Sequence, residues 1–195
     1  DMYITKYDAN GNVIWAKSAG GSNSEEAYSV TTDASGNIYV AGYFISASIT
    51  FDTVTLTNSG GEDVYLVKYD ASGNVLWAKN GVGSGLDRAR SVTTDASGNV
   101  YLAGWFYGTS LTLGAPTLTN VGNYDIFLVK YDAAGNMLWA KREGGSQSDV
   151  ANSVIVDPSG NFYMAGGFFS PTIIFGSITL TNAAVFSDVF IVKYD

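Results

Sequence analysis

The chain predicts an all-β fold built from repeated antiparallel hairpins, on three features. Short runs rich in β-branched and aromatic residues, such as Val64–Tyr69 and Val75–Lys79, read as strands. The turn pattern Asp-x-x-Gly-Asn occurs six times, each time between two such runs, starting at Asp8, Asp33, Asp70, Asp95, Asp132 and Asp157. The whole pattern also repeats along the chain at a step of 62 residues, which marks a tandem architecture.

Aligned on itself, the chain divides into repeat 1 (1–62), repeat 2 (63–124), repeat 3 (125–187) and an extra strand (188–195) that duplicates residues 1–8. Trp15, Trp77 and Trp139 share one column, and Lys6, Lys68, Lys130 and Lys193 another. The last step lengthens by one residue in the loop Ala183–Ser187. In repeat 2, Val64–Tyr69, the turn from Asp70 and Val75–Lys79 form one hairpin. Ser91–Thr94, the turn from Asp95 and Val100–Phe106 form the next. In each turn Asp can accept from backbone amides just ahead of it, and Gly supplies the positive φ of a type I turn with a bulge. A further short hairpin is expected near Ile49–Thr57, Leu111–Thr119 and Ile173–Thr181.

The run Ile38–Phe44 is apolar at both its odd and its even positions. A sheet with one wet face alternates polar with apolar residues, so these strands need cover on both sides. Four-stranded antiparallel sheets stacked face to face around an axis supply that cover, which is the arrangement of a β-propeller. Three such blades are too few to close a ring, since propellers use about 4–8. The expectation is therefore an incomplete ring, completed by more of a longer array or by oligomerisation. The start inside a strand pattern fits an excised or processed piece.

The strings Phe127–Lys141 and Asp95–Gly104 resemble the bacterial "seven-bladed β-propeller" (SBBP) repeat, whose pattern is a Lys-Tyr/Leu-Asp hairpin ending in Trp, a Gly-Gly loop, then Asp-x-x-Gly-Asn-Val-Tyr-Val-x-Gly. The resemblance covers the chain three times over, apart from the extra hairpins. It implies that Tyr28–Thr32 and Ile38–Phe44 are inner strands of a blade and Val64–Tyr69 and Val75–Lys79 the outer pair. It places the Asp turns on one rim and the connections 18–27, 80–89 and 142–151 on the other. It also implies a secreted or cell-surface bacterial setting.

Composition narrows the function. A net charge of −8 weighs against binding a phosphate backbone, which needs clustered Lys and Arg. The chain has no Cys and no His, which removes disulfides, thiolate metal sites, Ser-His triads and the usual zinc ligand. No apolar run approaches the ~18 residues of a membrane span, so membrane insertion is not expected. No cofactor is expected.

Candidate residues lie on the rim opposite the Asp turns, where the repeats differ most. Glu25, Asp87 and Asp149 fall in one column; Arg88 adjoins it, and Trp105 stands where the other copies have Tyr43 and Gly167. Paired carboxylates suit glycosidase chemistry, but catalysis needs one asymmetric site and these acids repeat. The same column suits cations or simply a soluble rim. The short Asp turns read as satisfied hairpins in preference to calcium loops, and the three column tryptophans as packing residues in preference to sugar platforms. The reading is a non-enzymatic binding or adhesion module for a glycan or protein. The alternative is a self-assembling scaffold that associates through its blade faces or terminal strand, and a glycan-active hydrolase comes third.

Overall fold

A computed structural model describes residues 1–183 and 185–195. The described residues form 20 strands and no helix. The chain opens with the hairpin β1 (Met2–Tyr7) and β2 (Val13–Ala19), a two-stranded sheet. Next come β3 (Glu25–Thr32) and β4 (Ile38–Phe44), the small hairpin β5 (Ser48–Phe51) and β6 (Val54–Thr57), then β7 (Asp63–Tyr69) and β8 (Val75–Asn80). A two-residue strand β9 (Val82–Gly83) precedes β10 (Asp87–Thr94) and β11 (Val100–Tyr107). The hairpin β12 (Ser110–Thr112) and β13 (Thr117–Thr119) leads to β14 (Tyr124–Tyr131) and β15 (Met137–Glu143). The last stretch holds β16 (Asp149–Val156), β17 (Phe162–Phe168), the hairpin β18 (Thr172–Phe175) and β19 (Ile178–Thr181), and β20 (Asp188–Tyr194).

Two four-stranded antiparallel sheets, ordered β3-β4-β7-β8 and β10-β11-β14-β15, repeat one plan. The three-stranded sheet β16-β17-β20 follows it without an outermost strand, and β1-β2 corresponds to its outer pair. Each full sheet takes two strands from one sequence repeat and two from the next. Sheet and repeat are thus out of phase by half a unit. All three expected extra hairpins are present. The longer loop Ala183–Ser187 includes Ala184, outside the described residues.

The sheets stack face to face. One core lies between the two four-stranded sheets and holds Tyr39, Ala41, Leu66, Leu102, Phe106 and Phe127 among others. A second, with Tyr101, Ala103, Leu128, Met164 and Phe190, lies between the second of these and the β16 sheet. A third, with Val40, Phe44, Tyr65 and Val67, lies on the other side of the first sheet, against β1-β2. Strand β11 feeds two cores, Val100, Leu102 and Phe106 into one and Tyr101 and Ala103 into the other. That is why its sequence shows no polar alternation.

The first strands of successive sheets run side by side, β3 next to β10 and β10 next to β16. Each carries a bulge, between Ala27 and Ser29, Ala89 and Ser91, or Ala151 and Ser153. There the Ser29 hydroxyl accepts from the Val92 amide, and the Ser91 hydroxyl from the Val154 amide, both at 3.0 Å. The Gly that ends the Asp-x-x-Gly-Asn strand faces this bulge: a Cβ on Gly104 would lie 2.0 Å from the Arg88 carbonyl oxygen. At the outer rim, Trp15 and Trp77 pack on the neighbouring hairpin. Lys6 and Lys68 donate to the carbonyls of Ala71 and Ala133 in that hairpin's turn, at 2.7 and 2.9 Å. Trp15 and Trp77 donate from Nε1 to the same two carbonyls at 3.4 Å, and Trp139 packs against the core beside the β16 sheet.

Candidate functional site

The acid column does not face solvent. Glu25, Asp87 and Asp149 are all buried at the start of β3, β10 and β16. Asp149 accepts from the Ser170 hydroxyl and the Gly145 amide, each at 2.7 Å, and from the Ser170 amide at 3.2 Å. Glu25 accepts from the Ser46 hydroxyl and from the Gly21 amide. Glu25 and Asp149 tie their sheets to the loops of the rim, whereas neither oxygen of Asp87 has a hydrogen-bond partner; none of the three reaches the surface. A second buried acid column, Asp63 and Asp125 at the head of β7 and β14, accompanies them.

Arg88 and Trp105, in contrast, are brought together. They are register partners on β10 and β11, on the rim opposite the Asp turns. The Arg88 guanidinium lies over the Tyr43 ring at 4.4 Å and the Trp105 ring at 5.4 Å, within the range of a cation–π contact. Its edge grips the Glu62 carboxylate twice, through Nε and through Nη2 (2.7 Å to Oε1), while Nη1 lies 3.3 Å from the Tyr28 hydroxyl. Arg90 covers Tyr28 at 4.5 Å and forms no ion pair among the described residues. Tyr124 meets Trp105 edge-on at 4.8 Å and Tyr107 at 5.4 Å.

The electrostatics follow from these contacts. Hydrogen bonds from Tyr28 and Tyr43 hold the Glu26 carboxyl below its usual range. Burial, together with the bond to Glu26, pushes the Tyr43 hydroxyl up, so it stays a neutral donor. The Glu62 bonds raise Arg88 above its usual value. The result is a pre-ordered patch: Arg88 fixes the rings, and Arg90, Tyr107 and Tyr124 are left partly open. It presents hydrogen-bond donors and π-faces.

Tyr28, Tyr43, Glu62, Arg90, Tyr107 and Tyr124 were not among the residues predicted from sequence. Their signal was present as divergence between copies. Tyr28 and Arg90 have Asn152 in their column, Glu26 and Arg88 have Val150, and Glu62 and Tyr124 have Ser187.

No family model matches the chain. The chain is similar to a WD repeat-containing protein, L264, of Acanthamoeba polyphaga mimivirus. They are 28% identical over 142 residues, which covers 66% of this chain and 10% of the viral protein. The chain thus spans about a tenth of that relative's length. WD repeats build propellers, and the stacked four-stranded sheets agree with a propeller-like repeat protein.

Proposed function

We propose that this chain is a propeller-type repeat segment that acts by binding a protein partner, without covalent chemistry, through the patch around Arg88 and Trp105. The observation that carries this reading is the asymmetry of the patch. Arg and aromatic side chains gather at one junction, whereas the third repeat has Val150, Asn152 and Gly167 in the same columns. A purely structural feature would recur in every copy, as the Trp column does. Trp, Tyr and Arg are also the residues that dominate protein-interface energetics. By its resemblance to the SBBP repeat, the setting is extracellular or at the cell surface.

The test is a displayed-peptide screen run beside a glycan array, with the wild-type chain and the Trp105→Ala and Arg90→Ala variants. Selection of acidic or aromatic peptides that both variants lose by about tenfold or more is expected, since interface Trp and Arg truncations cost about 2 kcal/mol or more. Selection of glycans in place of peptides would move the ligand class, and a flat result in both arms would remove the reading.

A second reading, self-assembly, is supported by the end sheets. On β20, Val189 and Ile191 are 84% and 75% exposed, and Tyr3 on β1 is 77% exposed. Among the described residues the outer edge of β20 pairs with no strand, where β7 and β14 pair with β8 and β15. Open edges and apolar faces of this kind favour association. Light scattering after size exclusion should show oligomers that dissociate in a Val189→Lys/Ile191→Lys variant; a wild-type monomer at all concentrations would exclude this reading.

A further inference from the structure

Two consecutive junctions between sheets each contain an acid pair, one acid from the third strand of a sheet and one from the first strand of the next: Asp63 with Asp87, and Asp125 with Asp149. The two pairs are sequence copies, yet they are neutralised differently. At the Asp125–Asp149 junction, Ser170 and Gly145 satisfy Asp149. Arg142 places Nη1 3.2 Å from Asp125 Oδ2, and the Val121 amide donates to the same oxygen at 2.9 Å. One of the two negative charges is thus matched by a guanidinium.

At the Asp63–Asp87 junction both neutralising groups are replaced. Gly108 stands in the column of Ser170, and Asn80 in that of Arg142. Asn80 turns to the Thr57 carbonyl at 2.9 Å, and Arg88 is committed to Glu62. Both carboxylates are fully buried. Oδ1 of Asp63 has no hydrogen-bond partner, as is also true of Asp125 Oδ1, and its Oδ2 accepts from the Ser59 amide at 2.8 Å. The difference lies in Asp87, neither oxygen of which has a partner, the adjacent Tyr107 amide donating to the Leu86 carbonyl at 2.9 Å, and in the lack of any basic side chain paired with either acid among the described residues.

The oxygens converge on Gly83. A Cβ there would lie 2.2 Å from Asp87 Oδ2 and 3.1 Å from the Ser110 carbonyl oxygen. The Ser59 hydroxyl, 2.9 Å from Asp63 Oδ2, is 3.1 Å from the Gly83 carbonyl oxygen. A fully buried carboxylate without a hydrogen bond, beside a second buried carboxylate whose charge is unmatched, is strongly unfavourable, so the site requires a positive charge.

We propose that the Asp63–Asp87 junction binds a hard divalent cation of calcium's size, which takes the place that Arg142 fills at the next junction. The donors are all oxygen, carboxylate and carbonyl, and their irregular arrangement suits calcium better than the strict octahedron of magnesium. Only two acids contribute, since no group of three or more metal-ligating side chains gathers among the described residues. Backbone oxygens and water complete the shell. The ion ties the third strand of one sheet to the first strand of the next, directly behind the Arg88 patch.

The experiment uses the full chain stripped with EDTA and titrated with calcium chloride, with magnesium chloride in parallel. Tm and terbium luminescence are followed for wild type, Asp87→Asn and Asn80→Arg. A saturable rise in Tm with calcium is expected for wild type and should be lost in both variants. Asn80→Arg should be more stable than wild type without calcium, because it restores the guanidinium. Circular dichroism confirms that each variant is folded.

Burial, aided by the charge of Asp63, pushes the Asp87 carboxyl up to about 8 when no cation is present. A proton is therefore the competing counter-charge. If calcium leaves wild-type Tm unchanged while metal-free stability falls as pH rises from about 4 to about 8, a proton fills the role and the proposal is overturned. A calcium response that survives in both variants overturns it as well, by placing the ion elsewhere.

Discussion

The Asp of each Asp-x-x-Gly-Asn turn is consumed by its own loop. In the turn from Asp132, Oδ1 accepts from the amides of Ala134 (3.0 Å) and Asn136 (2.8 Å), and Oδ2 accepts from the Asn136 side chain (2.9 Å). The other five turns follow the same pattern. These bonds favour the ionised form and hold the carboxyls of all six below their usual range. With both its carboxylate oxygens engaged by its own loop, the Asp closes a hairpin turn. The turn Gly has a second role where sheets meet. Gly135 has φ +84°, and a Cβ there would lie 3.1 Å from the Trp77 ring of the preceding sheet, whereas Gly11 has the same φ and open space around it. Gly11→Ala should therefore cost about 1 kcal/mol from backbone strain alone, and Gly135→Ala roughly 2 kcal/mol or more by urea denaturation. Equal costs would mean that the Trp contact contributes nothing. Each turn was legible in the sequence because its partners lie within five residues. The burial of Glu25, Asp87 and Asp149 was not, because the groups that enclose them come from loops and sheets farther along the chain.

Strand β11 shows what a doubly covered element demands. Leu102 and Ala103 are adjacent in sequence, both fully buried, and belong to different cores. A charge at either position has no route to water, so Ala103→Asp should cost about 3 kcal/mol or more, with a corresponding loss of folded protein. Leu76 on β8 is 51% exposed, and Leu76→Asp should cost only about 1 kcal/mol, mostly from β-propensity. If Ala103→Asp were tolerated as well as Leu76→Asp by thermal melting, the stacking of sheet on sheet would be wrong. The long strands, their hairpin pairing and the small hairpin of each repeat were readable from residue type and turn chemistry, whereas the two-residue β9, which pairs with β12, lies in what read as a connection. The half-unit offset between repeat and sheet came only from the resemblance to the SBBP repeat, which set Tyr28–Thr32 and Ile38–Phe44 in one sheet with Val64–Tyr69 and Val75–Lys79, since hairpins alone do not say which pair continues into which sheet.

Across the whole molecule, stability is graded from the middle of the stack outwards. The sheet β10-β11-β14-β15 has a packed core on both faces, whereas β1-β2 has two strands and β20 has one unpaired edge. In such a stack each unit gains from its neighbours on both sides, so end units open first. Hydrogen exchange should be slowest in β11 and β14 and faster by orders of magnitude in β1, β2 and the amides of β20 that face outwards. Uniform protection would show that the end sheets are covered in solution, as the self-assembly reading requires.

The sequence by itself determined the all-β class, the repeat and the turns, because those depend on contacts within one hairpin and on a period that recurs in every copy. It also pointed to Arg88 and Trp105, since divergence from the repeat is visible without coordinates. Only the tertiary structure decided which polar side chains lie in water and which lie between sheets. It moved the acid column inside, gathered Tyr28, Tyr43 and Glu62 around Arg88 and Tyr124 against Trp105, and buried Asp63 and Asp87 at one junction without a counter-charge. The physical reason is that burial and pairing across a junction depend on residues about 20 to 60 positions apart, brought together only when one sheet closes on the next.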